Sequence, residues 1–287
     1  MKRLLLSISF ILFLLNTNGQ APTIFGMGIG TLQPPSSGYD PDAAAYFAAI
    51  AAATTPLTST VKMYINTLVV SAKSNSWWSI DSAIYPVPNT DALACVFNLK
   101  NPNTYKLTLH STPTITGAGI TWNGSSQYAQ TGLNASTNLA VDNVSFTYYT
   151  PSTTSASNGS DIGCYDGTRG DELWIQSFGN TTTNMNTSSG VVFSNATIKG
   201  LYIASRVSST DERLYIGGVQ KGSTYTTASG STKPNLEIYL GCDNQSGAPS
   251  NYVDRTCGYA DIGAGVNSTL AATKSTDIQT YLTSMGR

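Results

Sequence analysis

Few side chains in this sequence are suited to acid–base or nucleophilic catalysis. The only histidine is His110, at the end of an alternating stretch in "KLTLHSTPT", and no G-x-S-x-G turn offers a nucleophile. A Ser-His-Asp triad needs a histidine that a carboxylate holds beside a nucleophile. We therefore expect His110 to be a surface or packing residue, and we predict no catalytic triad.

Glycoside hydrolysis needs two carboxylates that flank the scissile bond. The glutamates are Glu172, Glu212 and Glu237, and none lies in the Glu-x-Asp-x-Glu neighbourhood that several sandwich-fold glucanases place on one strand. Asp171 and Glu172 are adjacent, so on a strand they point to opposite faces. We predict that the protein is not an enzyme. Carboxylates from separate strands could still converge, which leaves a polysaccharide-acting glycoside hydrolase as an alternative.

Sugar binding is the chemistry that the loop residues suit best. It needs an aromatic ring for the apolar side of a pyranose, with amides and carboxylates for the hydroxyl groups. Two collections have this composition, and the candidate glycan-binding residues are Tyr165, Asp166, Arg169, Asp171 and Trp174 in the first and Asp243, Asn244, Gln245, Asn251, Tyr252 and Asp254 in the second. The alternative is that Trp174 packs in the core and the others are ordinary turn residues.

Metal binding is weakly indicated. Calcium takes six to eight oxygens, and the densest acidic region offers Asp161, Asp166 and Asp171 without EF-hand spacing. Arg169 would neutralise part of this charge, and an Asx turn also explains Asp166-Gly167. We therefore expect no cofactor, with calcium as the open alternative.

The elements that position these residues change character near residue 90. From there, apolar residues alternate with polar ones in short runs separated by Gly-containing turns, which predicts an antiparallel sandwich or barrel over 89–287. The runs are centred on Leu107, Phe146, Ile203, Leu214 and Ile238. Ile278, Tyr281, Leu282 and Met285 follow helical spacing, so we expect a C-terminal helix.

Residues 40–88 are predicted to form a small helical segment. Asp40-Pro41 supplies an N-cap with proline at the first helical position, and Thr58 or Ser59 can cap a second helix. A third short helix is predicted from the spacing of Trp77, Ile80 and Ile84, and it should stop at Tyr85-Pro86.

The N-terminus has the layout of a secretory signal peptide. Lys2-Arg3 precede a short apolar run, which small polar residues follow up to Gly19. We predict a signal peptide over 1–19, and hence a secreted or cell-surface protein; a retained anchor helix is the alternative. Residues 20–39 are rich in glycine and proline, which indicates an arm that serves as a linker or pairs with a neighbour's sheet edge.

Composition limits the partners. The chain has 287 residues, of which 11% are charged, and a net charge of −1. Nucleic-acid binding needs a basic surface, so we exclude it. A weakly charged surface favours association, which makes self-assembly into oligomers, filaments or tubes an expectation. No second apolar stretch of spanning length follows the signal, so no membrane span is expected after its cleavage.

The sequence resembles concanavalin A-like, laminin G-like jelly-roll proteins found in tailed bacteriophages and on bacterial surfaces. The resemblance covers most of residues 40–287 and rests on the order of the segments "DPDAAAYFAAI", "SNSWWSIDSAIYPV", "CVFNLKNPNTY", "GITWNGSSQYAQTGL", "DIGCYDG", "IYLGCDN" and "NYVDRTCGYADIGAGV". It implies a mostly β fold, an antiparallel jelly-roll sandwich with lectin-like or structural work, and it transfers no catalytic residue. The signal peptide departs from the phage members, so a phage or prophage virion or tail-associated component is the alternative.

Cys95, Cys164, Cys242 and Cys257 would meet an oxidising compartment after export, which predicts two disulfides and leaves three pairings open. In a jelly roll of this kind the first and last strands lie side by side. The resemblance therefore implies the pairs Cys95–Cys257 and Cys164–Cys242. The second pair would bring both sugar-binding collections to one end of the sandwich.

Together these observations predict a secreted, non-enzymatic, lectin-like structural protein that binds glycans and copies of itself.

Overall fold

The computed structural model describes residues 38–287. The predicted signal peptide and nearly all of the predicted arm lie outside these residues. Residues 39–287 belong to one compact unit. Its helices are α1 (Pro41–Ala53), α2 (Ser59–Ser74), α3 (Ala92–Cys95), α4 (Ala135–Asn138) and α5 (Ser268–Ser284).

The remainder is mostly β, as the alternation predicted. The strands are β1 (Asp81–Tyr85), β2 (Thr108–His110), β3 (Thr114–Thr116), β4 (Gly119–Thr121), β5 (Tyr128–Asn134), β6 (Val144–Thr150), β7 (Ile162–Tyr165), β8 (Gly170–Ser177), β9 (Asn180–Thr187), β10 (Val191–Ser194), β11 (Gly200–Ser208), β12 (Asp211–Ile216), β13 (Val219–Tyr225), β14 (Glu237–Leu240), β15 (Asp243–Gln245), β16 (Ala248–Ser250), β17 (Thr256–Cys257) and β18 (Tyr259–Gly263).

Two large sheets form the sandwich. One has six strands in the order β1-β18-β6-β11-β12-β13, and the other runs β10-β9-β8-β7-β14-β5-β2, with β15 attached to β7 and β16 to β15. A small sheet, β17-β4-β3, completes the β structure. Nearly all pairings are antiparallel, the exception being β15 with β7. Apolar side chains of both large sheets, such as Phe146, Ile203, Leu173 and Ile238, are buried in the core.

The helices follow their sequence signals. Asp40 accepts a hydrogen bond from the backbone N–H of Asp42 at the start of α1, and Thr58 caps α2 through the N–H of Val61. Ile278, Tyr281 and Leu282 of α5 are buried. Among residues 38–287, we find no helix with the length and apolar character that crossing a bilayer requires.

The predicted third helix is wrong. Only Trp78–Ile80 form a single 3₁₀ turn, and β1 follows at once and pairs with β18. The ladder with β18 satisfies the backbone of β1, and this pairing partner lies about 180 residues away, where local periodicity has no access to it.

The predicted disulfides are absent from the structure, in which all four cysteines are buried free thiols. Cys95 lies in α3 rather than on a first strand, and its thiol donates to the Asn89 carbonyl. Cys257 lies in the small sheet opposite Ile120, and Cys164 of β7 pairs with Asn244 rather than Cys242. Burial raises the pKa of Cys95 and of Cys257 to about 12.

Several of the scarce charged side chains are buried. Buried ion pairs join Arg206 to Glu212, Lys233 to Asp171, Arg255 to Asp161, and Lys274 to both Asp81 and Asp261. Buried charges are tolerated only when they are paired and hydrogen-bonded, and each of these is.

Candidate functional site

An open cleft lies across strands β7 to β10 and β15. Its volume is about 470 Å³, and we call it the β8 cleft. Its lining combines two aromatic rings with hydroxyl, amide and carboxyl groups, and contains no lysine or arginine: Tyr165, Glu172, Trp174, Ser177, Thr182, Asn184, Ser188, Ser189, Gly190, Val192, Asp243, Gln245 and Asn251.

Strand alternation explains why these side chains meet. In β8, Leu173 and Ile175 are buried in the core, so Glu172 and Trp174 point to the opposite face. The same alternation sends Thr182 and Asn184 of β9 to that face. Asp243 and Gln245 of β15 join them there because β15 runs beside β7. The cleft therefore lies on the outer face of the larger sheet.

Glu172 and Asp243 form a carboxyl pair at the base of the cleft. Both are buried, and their side chains are hydrogen-bonded to each other. Burial, and next the neighbouring Asp243 charge, raise the pKa of Glu172 to about 8. Burial also raises the pKa of Asp243, whereas hydrogen bonds from Asn251 and Glu172 lower it. Glu172 therefore holds the proton at neutral pH and donates it to Asp243.

The rest of the Glu172 carboxyl is fixed by two donors. Trp174 Nε1 donates to Glu172 Oε1 at 3.1 Å, and Asn184 Nδ2 donates to Oε2 at 3.3 Å. The first bond ties the indole ring to the carboxyl pair. An aromatic ring whose orientation is fixed in advance loses less entropy when a ligand stacks on it.

Two glycines make room for Glu172. A Cβ at Gly163 would come within 2.9 Å of Glu172 Cγ, and one at Gly170 within 2.6 Å of Glu172 Oε2. A Cβ at Gly163 would also come within 2.6 Å of the Asp171 carbonyl oxygen, so a side chain there would displace the neighbouring strand as well. The strand sequence thus provides space for an outward-facing glutamate between two strands.

A neighbouring amide also holds Asp243. Its Oδ2 accepts from Asn251 Nδ2 at 3.1 Å. Its buried Oδ1 has no other donor within residues 38–287, so it is the oxygen left to accept the Glu172 proton.

The structure brings together only part of the first predicted collection. Tyr165 and Trp174 reach the β8 cleft. Asp166 instead accepts from the N–H groups of Thr168 and Arg169 in an Asx turn, as its alternative interpretation proposed. Arg169 donates to Thr232, and Asp171 is turned inward to Lys233.

The second collection is likewise divided. Asp243, Gln245 and Asn251 line the cleft, but Asn244 faces away and donates to the Glu237 carbonyl. Asp254 lies in a separate groove, where hydrogen bonds from Ser155, Ala156 and Ser157 hold it. These hydrogen bonds outweigh the effect of burial and lower the pKa of Asp254 to about 2.

The weak calcium candidates do not converge. Asp161 pairs with Arg255 and Asp171 with Lys233, so buried cations already occupy these carboxylates. In the part of the chain that the structure describes, no group of three or more acidic, histidine or cysteine side chains is arranged to hold a metal ion.

A row of aromatic rings lies on the adjoining strands β14, β5 and β2. His110 stacks on Tyr128 with 4.3 Å between ring centroids, and Tyr128 contacts Tyr239 at 5.2 Å and Tyr252 at 6.1 Å. Gln130 connects the row, since it contacts His110 Nε2 at 3.0 Å and donates to the Tyr239 hydroxyl. His110 is therefore a packing residue, as predicted, and Tyr252 belongs to this row rather than to the cleft.

Sequence reasoning missed Glu172, Asn184 and Thr182. The sequence correctly predicted that Asp171 and Glu172 lie on opposite faces of the strand. It did not predict which of the two faces outward. The signal was present in β8, where Leu173 and Ile175 mark the core face and leave Glu172 beside Trp174.

No known family profile and no curated protein sequence matches the chain. Solved structures do match. Domain 4 of AbnA, an extracellular GH43 arabinanase from Geobacillus stearothermophilus solved with arabinotriose, aligns at a TM-score of 0.50 and 15% identity, over 68% of this chain and 98% of the domain.

A structure of botulinum neurotoxin type C also aligns, at a TM-score of 0.50 and 10% identity, over 70% of this chain. The cell entry of that neurotoxin depends on interaction with two ganglioside molecules. The match spans about half, 52%, of that neurotoxin chain. At these identities the likeness is one of fold, and the jelly-roll sandwich is the fold that is shared.

Proposed function

We propose that this protein is a carbohydrate-binding protein whose β8 cleft receives a neutral glycan. The observation that carries the proposal is the pairing of the fixed Trp174 ring with the buried Glu172–Asp243 carboxyl pair in one open cleft. The ring suits the apolar face of a sugar, and the carboxyl pair suits its hydroxyl groups. The arabinanase domain solved with arabinotriose supports the proposal only through its fold.

The charges favour neutral sugars over anionic ones. The cleft lining contains no lysine or arginine, and Asp243 contributes a negative charge. A uronate or sialate would meet this charge without a cation to pair with, and a like-charge contact in a partly dry cleft is unfavourable.

We further propose that the protein binds without cleaving its ligand. Retaining glycosidases hold their two carboxyl groups about 5 Å apart and inverting ones farther apart. Glu172 and Asp243 are instead hydrogen-bonded to each other, so they are closer together than either geometry.

Three features support action outside the cell and in assemblies. The Lys2-Arg3 and apolar pattern at the N-terminus is typical of export, and the weak net charge offers little repulsion between copies. Phe178 at the tip of the β8–β9 hairpin is 83% exposed, which adds an apolar contact point. Light scattering of the purified protein at several concentrations tests assembly, and a monomer throughout would contradict it.

Affinity electrophoresis of the purified protein tests the binding proposal. Gels would contain neutral polysaccharides such as arabinan, xylan or glucan, or anionic ones such as alginate or polysialic acid. We expect retardation in at least one neutral gel and in no anionic gel, without release of reducing ends. Retardation only by anionic polymers would contradict the proposed specificity, and new reducing ends would contradict binding without cleavage.

A further inference from the structure

Three ionisable side chains outside the cleft meet in the interior between β1, β18 and α5. Lys274 Nζ lies 2.8 Å and 2.9 Å from the two carboxyl oxygens of Asp81, and 2.8 Å from Asp261 Oδ1. All three side chains are fully buried. The Trp77 ring lies 5.2 Å from Lys274 Nζ and closes the group off. We call these residues the Lys274 triad.

The charges of the Lys274 triad do not balance when all three groups are ionised. One ammonium faces two carboxylates, and an excess buried charge is costly. The buried Tyr259 hydroxyl donates a hydrogen bond to the Asp261 carboxylate. Burial, and next the Asp261 charge, raise the pKa of Asp81 to about 8. The Lys274 and Lys100 charges oppose this rise, and the net effect favours the protonated form of Asp81 near neutral pH.

A carboxyl in contact with a lysine ammonium, with a second carboxyl beside both, brings together the groups that an amide condensation uses. We propose that Lys274 and Asp81 condense to a covalent isopeptide bond, with Asp261 as the proton-transfer residue. Proton transfer to Asp261 leaves a neutral Nζ, which attacks Cγ of protonated Asp81. The N–Cγ bond forms, the Cγ–OH bond breaks, and Asp261 gives its proton to the departing hydroxyl and then takes the second proton from the nitrogen. The products are one amide, one water and a protonated Asp261, and no oxidant or reductant is needed.

The proposed bond would join two distant parts of the chain. Asp81 opens the first strand and Lys274 lies in the last helix, 193 residues apart along the chain. A cross-link there would fix both ends of the sandwich in a protein whose four cysteines are free. The loop it would close spans nearly the whole of the sandwich, and cross-links that close long loops constrain the unfolded chain most.

The molecule contains an internal comparison. Lys233 Nζ lies 2.8 Å and 2.7 Å from the two oxygens of Asp171, and both side chains are buried. No second carboxylate bonds to Lys233 among the residues that the structure describes. Without a proton-transfer partner, this pair should remain an ordinary ion pair.

Peptide mass mapping of the denatured, trypsin-digested wild-type protein tests the proposal. Trypsin does not cut after an acylated lysine, so we expect peptide 74–100 joined to peptide 256–287, lighter than their sum by one water. Separate peptides 74–100 and 256–274, each at its unmodified mass, would overturn the proposal.

Variants assign the roles. Lys274→Arg should abolish the joined peptide, and Lys233→Arg should leave it unchanged. Asp261→Asn, checked for native circular dichroism, should yield the two peptides separately. A joined peptide that persists in folded Asp261→Asn protein would overturn the role of Asp261, while a joined peptide that persists in Lys274→Arg would overturn the identity of the bond.

Discussion

The carboxyl group of Glu172 is hydrogen-bonded to that of Asp243, although 71 residues separate them and they lie on different strands, β8 and β15. This pair gives the β8 cleft its polar base and, through the Trp174 bond to Glu172, fixes its aromatic ring. The orientation of the Trp174 ring, the protonation of Glu172 and ligand binding are therefore coupled in the β8 cleft.

The protonation of Glu172 should make stability depend on pH. In the unfolded chain Glu172 loses its proton near its ordinary pKa of 4.5, whereas in the folded protein it keeps the proton up to about pH 8. Between these values the folded state binds more protons, so the free energy of unfolding should fall as the pH rises, by up to about 1.4 kcal/mol per pH unit. Glu172→Gln should flatten this dependence.

Urea unfolding of both proteins at pH 5, 6, 7 and 8, followed by tryptophan fluorescence, checks this prediction. Equal slopes against pH in the wild type and in Glu172→Gln would show that Glu172 does not hold the proton.

A methyl group at Gly170 should displace the cleft carboxyl. Its Cβ would come within 2.6 Å of Glu172 Oε2, so Gly170→Ala should reduce stability by about 1–3 kcal/mol and weaken glycan binding. Gly117→Ala is the matched control, because a Cβ there meets no atom within 4 Å. Thermal melts and binding titrations of both variants test this prediction. Equal losses of stability and of glycan affinity in the two variants would contradict the role of Gly170.

The fold was predictable where a local sequence pattern determines the element. The site was predictable only where the alternation of side chains along a strand shows which residues face outward. The caps at Asp40 and Thr58 and the period-two runs gave the correct helices and sheets. The third helix was predicted wrongly because the spacing of Ile84 from Trp77 and Ile80 suits a helix, while its strand partner Asp261 is distant in the chain.

Tyr165, Trp174, Asp243 and Asn251 were predicted as glycan-binding candidates from composition alone, and the structure places all four in the cleft. The contact of Glu172 with Asp243 was not predictable, since it depends on β15 running parallel to β7. The disulfide prediction failed because it assigned Cys95 to a strand on the basis of the resemblance, whereas that residue lies in a helix.

The buried thiols should be free and unreactive in the folded protein. Burial raises the pKa of Cys95 and of Cys257 to about 12, so almost no reactive thiolate exists at neutral pH. We expect Ellman's reagent to detect essentially no thiol in native protein and four in guanidinium. A count of none in guanidinium without reductant would instead support the two predicted disulfides.

The buried pair of Arg255 and Asp161 should matter far more than an exposed one. Arg255 Nε and Nη2 each donate to Asp161 at 2.7 Å, and the Ile175 N–H donates to the same carboxylate. Asp161→Ala leaves the buried guanidinium of Arg255 unpaired and should lower the free energy of unfolding by about 3–5 kcal/mol.

Asp211→Ala is the control, because the Arg213–Asp211 pair is partly exposed. This substitution should lower the free energy of unfolding by less than about 1 kcal/mol. Chemical unfolding of both variants provides the comparison. Similar losses would mean that the buried pair adds nothing beyond a surface contact.

The central claim is that the β8 cleft binds a neutral glycan through Trp174. Isothermal titration of a neutral oligosaccharide into wild type, Trp174→Ala and Phe178→Ala tests it most directly, since Phe178 is an exposed aromatic outside the cleft lining. We predict affinity at least about tenfold weaker for Trp174→Ala, equivalent to about 1.4 kcal/mol, and unchanged for Phe178→Ala. Undiminished affinity in folded Trp174→Ala protein would contradict the claim.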